Sequence, residues 1–176
     1  AAWGDYDNDG FLDLFLAGAN LGNRLYHNSG NGTFTQIATG PGADSANLSL
    51  GCDWGDYDND GFLDLFVANA TLLPNQSPQT DNFLYHNDGN TNRWLKVKLV
   101  GTTSNRAAIG AKVRVQASFG GTNRWQLREI SVGCNFSGHN LLSHFGLRDA
   151  QQVGGVLVVG LRGGALSFWY KDIHPH

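Results

Sequence analysis

The feature that most restricts what this chain can fold into is an internal repeat. Residues 3–15 read Trp-Gly-Asp-Tyr-Asp-Asn-Asp-Gly-Phe-Leu-Asp-Leu-Phe and recur unchanged at 54–66, thirteen identities at an offset of 51. Leu25-Tyr26-His27-Asn28 recurs as Leu84-Tyr85-His86-Asn87 at an offset of 59, so the second copy holds an eight-residue insertion around 72–78, read as a surface loop. A period of about 50 residues predicts a solenoid or propeller, whose units are single supersecondary elements unable to bury their apolar faces alone. Composition agrees. With 24 Gly, 17 Asn, one Glu and no Met in 176 residues, helix formers are scarce and turn formers abundant, which excludes a helical bundle. No run approaches the roughly 18 apolar residues of a membrane span. The first residues lack the basic-then-apolar layout of a signal peptide, and without an initiator Met the chain reads as a processed or excised piece whose ancestor was compatible with export.

Each copy leads from an acidic stretch into a short apolar run, 12–17 or 63–68, predicted as a buried strand. Leu25-Tyr26 and Leu84-Tyr85 begin the next strand, and the Asn/Gly clusters at 28–32 and 87–90 give the strongest hairpin signals. Asp5, Asp7, Asp9 and Asp13 occupy positions 1, 3, 5 and 9 of a D-x-D-x-D-G-x-x-D loop, and Asp56, Asp58, Asp60 and Asp64 do the same; together they are eight of the 15 acidic residues. Alternate residues of a curled loop can converge on one centre. Gly10 and Gly61 at position 6 permit the sharp turn that faces the carbonyl of position 7, Phe11 or Phe62, inward. Oxygen donors without thiolate or imidazole select a hard cation, and a flexible, carboxylate-rich loop favours Ca2+ over Mg2+, so two Ca2+ ions are expected. Two carboxylates about 4 Å apart repel by roughly 1 kcal/mol in water and roughly 4 at an effective dielectric of 20. An EF-hand requires an acidic residue at position 12, where this chain has Leu16 and Val67. A dockerin-type loop fails on the same residue.

The net charge of −3 conceals a division: residues 1–90 hold 12 acidic groups against Arg24 alone, and 91–176 hold 11 basic against three acidic. Two modules are therefore expected, 1–90 and 91–176, with opposite charge favouring contact within or between chains. Nucleic acid is excluded as a partner, since the basic half lacks a recognition-helix pattern and the acidic half repels phosphate. In the basic half Leu95/Val97/Leu99 alternate with Lys96/Lys98/Val100, and Ile109/Ala111/Val113/Val115 with Gly110/Lys112/Arg114/Gln116, which predicts two antiparallel strands with one wet face. A further strand is read at 125–132 and a more buried one at 156–159, giving a small β-sandwich or barrel.

The repeat, with its Asn-x-Leu-Tyr-x-Asn-x-Gly continuation, resembles the FG-GAP (VCBS) repeat, the calcium-loop blade of integrin-type β-propellers. The motifs Asn92-Arg93-Trp94-Leu95-Lys96-Val97, Gly101-Thr102 with Asn105-Arg106, Ile109-Gly110-Ala111-Lys112-Val113 and His144-Phe145-Gly146-Leu147 resemble the ASPIC/UnbV domain that follows such repeats. The resemblance spans roughly residues 3–160. It implies an all-β chain of partial propeller-like blades plus a small β domain, with an extracellular, calcium-dependent and mostly non-catalytic adhesion role. Propellers close with about four to eight blades, and two incomplete repeats cannot form a ring alone. The family's usual Trp-Pro-x-Gly turn after the Val-rich strand is absent here, and the divergent segment 167–174 has no assigned strand partner.

No reaction centre is legible. Ser143-His144 and Ser137-Gly138-His139 lack a nucleophile elbow, and Asp149 has no positional logic as their acid. His27 and His86 share a repeat position and mark a packing or hydrogen-bonding slot, without the partners of a transition-metal site; the terminal His174-Pro175-His176 is a frayed tail. Cys52 and Cys134, one in each module, are either bonded across about 80 residues or two buried thiols. Five sequons, at Asn31, Asn47, Asn69, Asn75 and Asn135, follow from an Asn-rich composition. The expected function is a calcium-stabilised extracellular binding, adhesion or self-assembly module that is not an enzyme. Its partners are other protein chains, including a head-to-tail homo-oligomer or filament. The alternatives are an enzyme-associated domain and a carbohydrate-binding module using Trp94, Trp125 or Trp169 as stacking platforms.

Overall fold

The computed structural model describes residues 1–18, 22–42, 48–70, 81–102, 105–131 and 141–160, and the backbone of 166–171. The insertion around 72–78, Cys134, Ser137-Gly138-His139 and the His174-Pro175-His176 tail lie outside the described residues. The described chain is all-β, with one 3-10 turn at Gly40–Gly42 and no closed barrel. No helix among the described residues is long and apolar enough to cross a membrane. Contacts divide it into two compact units: 1–6 with 11–88, and 7–10 with 89–131 and 141–171, among the described residues.

The first unit holds two sheets. Strands β1 (Ala2–Gly4), β2 (Asp13–Leu16), β3 (Arg24–Asn28) and β4 (Phe34–Ile37) form a four-stranded antiparallel meander in sequence order. Strands β5 (Ser49–Gly55), β6 (Asp64–Asn69) and β7 (Phe83–Tyr85) repeat its first three strands. The first sheet thus has four strands, the usual number of a propeller blade, and the second has three among the described residues. The turn at 28–32 joins β3 to β4, closed by the Ser29 N–H donating to Thr33 O at 3.0 Å. At 87–90 the expectation of a hairpin fails: among the described residues β7 pairs with β6 alone, and the chain leaves the sheet. Asn87 donates its side-chain amide to Leu63 O, and Asn90 Oδ1 accepts the Asn92 N–H, so these turn formers serve an exit from the blade.

Period-two alternation gives each blade two faces. Ala2, Phe15 and Leu25 of the first meet Trp54, Leu65 and Val67 of the second in one buried cluster. Trp54 is the anchor. It lies edge-on to Phe15 (centroids 6.4 Å), stacks on Tyr6 (6.1 Å, 12° between planes), and donates Nε1–H to Ala2 O at 3.4 Å. A side chain on Gly4 would start 2.6 Å from the Trp54 ring, so the glycine is what lets the indole lie on β1.

The second unit is built from β8 (Arg93–Gly101), β9 (Lys112–Phe119), β10 (Thr122–Glu129), β11 (Leu142–Arg148), β12 (Val153–Val159) and β13 (Leu166–Lys171). They form two three-stranded sheets, ordered β10-β9-β12 and β11-β8-β13. The two strands first read from alternation, β8 and β9, do not pair with each other. Each is the centre of its own sheet, and Leu95, Val97 and Leu99 share one core with Val113, Val115, Phe145 and Leu147, which makes the module a sandwich. Of the expected wet face of β8, Lys98 is exposed and Val100 half-buried, but Lys96 is buried, its Nζ 5.2 Å from the centre of the buried Trp94 ring, which stacks on His144. The strand read at 125–132 begins earlier and ends at Glu129. The Val-rich strand read as more buried is β12, an edge strand on which Val156 and Val158 touch the core while Leu157 and Val159 are exposed. β13 supplies the partner missing for the divergent end, antiparallel to β8 from Leu166 opposite Gly101 to Lys171 opposite Lys96.

Candidate metal centre

Both aspartate loops are hairpin connections: 5–12 joins β1 to β2, and 56–63 joins β5 to β6. The flanking strands fix the loop ends, and the position-9 carboxylate is the first residue of the outgoing strand, Asp13 or Asp64, both buried. In the second loop Asp64 Oδ2 accepts the Tyr57 N–H at 3.1 Å and Oδ1 accepts the Asn87 N–H at 2.9 Å. The first loop repeats this with Tyr6 (3.3 Å) and Asn28 (2.8 Å) on Asp13. Asn28 and Asn87 return their side-chain amides to the carbonyls of Leu12 (3.0 Å) and Leu63 (3.1 Å), so one asparagine ties each loop to the end of the third strand.

Within the loops the backbone curls through left-handed residues. Gly10 and Gly61 sit at φ 94° and 99°, and Asn8 and Asn59 at 58° and 64°, a region asparagine tolerates better than most side chains. Asp7 Oδ1 accepts the Asp9 N–H (3.2 Å) and Asp58 Oδ1 the Asp60 N–H (3.1 Å), local turns that hold the position-3 side chain inward.

The consequence is convergence. One ligand atom from each of Asp56, Asp58 and Asp64 lies within 4.8 Å of the others, as do those of Asp5, Asp7 and Asp9; Asp7 and Asp13 also group with His27. Asp60 stands outside its group, its Oδ1 accepting the Phe62 N–H at 2.8 Å. Phe62 is buried and Phe11 half-buried. Backbone N–H donors ease the burial of one carboxylate but do not cancel three within 4.8 Å, whereas a cation does. The donor chemistry therefore fits a metal ion.

The structure adds two residues that sequence reasoning placed no closer than a hydrogen-bonding slot. His86 Nδ1 lies 3.3 Å from Asp64 Oδ1 and 3.5 Å from Asp58 Oδ2, and His27 Nδ1 lies 3.3 Å from Asp13 Oδ1. The pairing of Leu14 with Tyr26 and of Leu65 with Tyr85 sets the residue that follows each tyrosine, His27 within β3 and His86 just past β7, beside the position-9 aspartate. Strand register brings each histidine beside its aspartate, and the shared repeat position was the available signal.

The other sequence candidates do not assemble. Ser143 and His144 are successive residues of β11 and point to opposite faces; Ser143 is buried, and His144 stacks on Trp94. Asp149 Oδ1 accepts the Gly120 N–H at 3.4 Å. Trp94 is buried, which removes it as a platform, while Trp125 is 53% exposed. Cys52 is a buried free cysteine whose thiol is pushed up from its ordinary value by desolvation.

An aspartate-lined hairpin continued by a third strand occurs twice in the first unit, and the second unit is a β-sandwich. Family models agree: an FG-GAP-like repeat matches residues 5–67 and an ASPIC and UnbV domain matches 101–159, so the chain carries an FG-GAP-like repeat followed by an ASPIC/UnbV domain. Together these point to an extracellular β-type module. No curated protein and no solved structure matches the chain.

Proposed function

We propose that the chain is a calcium-stabilised, extracellular, non-catalytic binding and assembly module, with one Ca2+ in each aspartate loop. The observation that carries this reading is the convergence of Asp56, Asp58 and Asp64 within 4.8 Å on the loop between β5 and β6. Asp5, Asp7, Asp9 and Asp13 would hold the first ion, and Asp56, Asp58, Asp60 and Asp64 the second, with the carbonyls of Phe11 and Phe62 completing each set. The oxygen-rich set favours a hard cation, and His27 and His86 serve best as partners that orient the position-9 carboxylate. The ion supplies charge neutralisation and loop closure; the strands do the binding. Millimolar calcium and an FG-GAP-like repeat both belong outside the cell, which supports that location. The dispersal of Ser143, His144 and Asp149 into structural contacts supports a module without catalysis.

Thermal melting in calcium and in chelator tests the reading. At free Ca2+ about 100-fold above the dissociation constant, each site contributes about 2.7 kcal/mol, or roughly 5–11 °C in a chain of this size. An identical melting temperature in both buffers refutes it.

One observation favours carbohydrate as a second partner class. A side chain on Gly155 would meet Trp125 Cη2 at 3.7 Å, so the half-exposed indole reaches across Gln116 toward the next strand on the outer face of β10-β9-β12. Trp125→Ala should abolish retention on a glycan array that holds the parent chain; binding to no glycan at all would eliminate this reading.

A further inference from the structure

The two blades pack through one face each, leaving two faces exposed, and the repeat makes those two faces mates. The buried joint uses Trp54 as donor and an acceptor slot on the first blade formed by Gly4, Tyr6, Phe15 and the Ala2 carbonyl. The offset of 51 maps that slot onto Gly55, Tyr57, Phe66 and Asp53 of the second blade, and maps the donor Trp54 back onto Trp3. Both mapped partners are in the open. Trp3 is 56% exposed, Tyr57 55% and Phe66 44%, where their equivalents Trp54 and Phe15 are 8% and 0%. Leu84, the counterpart of Leu25, is 53% exposed against 5%. At Gly4 a side chain would collide with Trp54 at 2.6 Å; at Gly55 nothing lies within 4 Å among the described residues. A cavity of about 360 Å3 runs along this face, lined by Asp53, Gly55, Tyr57, Phe66 and Leu84 among others.

We infer that this slot takes Trp3 of a second copy of the chain, which repeats between molecules the joint that Trp54 makes within one. It deepens the assembly reading above and rests on it. The occupant follows from the chain's own precedent: the slot keeps the glycine that admits an indole and the two rings that flank it. The slots differ in two ways: Asp53 stands where the buried Ala2 stands in the first blade, keeping the backbone carbonyl but adding a carboxylate at the rim, and the second sheet has, among the described residues, no counterpart of β4, whose Ile37 packs against the internal joint. Because donor and acceptor lie on different surfaces, the contact is heterologous and does not close on itself, so copies add head to tail. Association covers the exposed side chains of Trp3, Tyr57, Phe66 and Leu84.

Sedimentation velocity of the full chain in calcium, across a concentration series, tests this. The parent chain should show a ladder of species growing with concentration. Trp3→Ala removes the donor at the cost of one edge-on contact with the exposed Phe34 (centroids 6.1 Å), and Gly55→Val fills the slot where nothing lies within 4 Å among the described residues, so each variant should melt close to the parent yet sediment as a monomer. Mixed in equal amounts, the two variants keep one good donor and one good acceptor between them, and should give dimers with nothing larger. A parent chain monomeric at every concentration overturns the proposal, as do variants that still form the ladder or a mixture that stays monomeric. A chain that gains melting temperature with calcium but remains monomeric sinks this inference alone and leaves the ion reading standing.

Discussion

Gly4 and Gly55 hold the same position in two identical thirteen-residue segments, yet their surroundings differ completely. A methyl group at Gly4 would sit 2.6 Å from the Trp54 ring, a separation no real contact tolerates, whereas at Gly55 it would meet nothing within 4 Å among the described residues. The indole cannot retreat easily, since Tyr6 stacks on one side of it and Phe15 lies at its edge. Gly4→Ala should therefore destabilise the chain by about 1–3 kcal/mol, the usual range for overpacking a filled core. Gly55→Ala should leave the monomer's unfolding midpoint within about 0.5 kcal/mol, and on an exposed strand can raise it by removing glycine's unfolded-state entropy. Chemical denaturation of both variants at low protein concentration makes the comparison. Equal losses would mean that the blades do not meet through Trp54. Identity of sequence thus does not give identity of role: the neighbour decides.

At the scale of the element, each hairpin is closed by its own position-9 aspartate. Asp64 accepts two backbone N–H groups, from Tyr57 and Asn87, and receives His86 at 3.3 Å, so it links the loop, the outgoing strand and the strand after it. Asp64→Asn keeps the shape but turns one acceptor into a donor facing another donor. Calorimetric titration should then show one calcium ion bound per chain instead of two, and about half the calcium-dependent gain in melting temperature. Two ions bound with unchanged affinity would remove Asp64 from the site. Much of this element was legible in the sequence: the Asp spacing, the glycine at position 6 and the apolar run that follows specify a loop feeding a strand. What precedes the loop was not. β1 is three residues long and contains a glycine, and β5 mixes Gly51, Cys52 and Asp53, so neither shows a clean alternation. Their strand character comes from pairing with β2 and β6, a tertiary effect that local preference does not encode. The turns at 28–32 and 87–90 carry the same residue types, but only the first is followed by a segment that returns to its own sheet. The histidines opposite Asp13 and Asp64 were hidden for the same reason: register, not spacing along the chain, sets them there.

Across the whole molecule, dependence on the ion should be unevenly distributed. Among the described residues, the carboxylate groups able to hold a metal lie on the β1–β2 and β5–β6 connections or beside them, and none draws on β8 to β12. The second unit has its own core in Leu95, Val97, Val113, Val115, Phe145 and Leu147, all fully or almost fully buried and built from apolar residues that need no charge compensation. Local openings cost what the contacts around them supply, so removal of an ion worth about 2.7 kcal/mol lowers the protection of amides that open with its loop by roughly 100-fold. Hydrogen exchange in chelator against calcium should show that change at the amides of β2 and β6 and at Arg148, whose N–H donates to Asn8 O of the first loop at 2.8 Å, while those of β8, β9 and the rest of β11 stay within about two-fold. A uniform acceleration along the chain would instead show that the sandwich opens together with the blades, and that the ions hold the entire molecule. Unchanged rates in β2 and β6 would mean that the strands, not the ions, hold the hairpins closed.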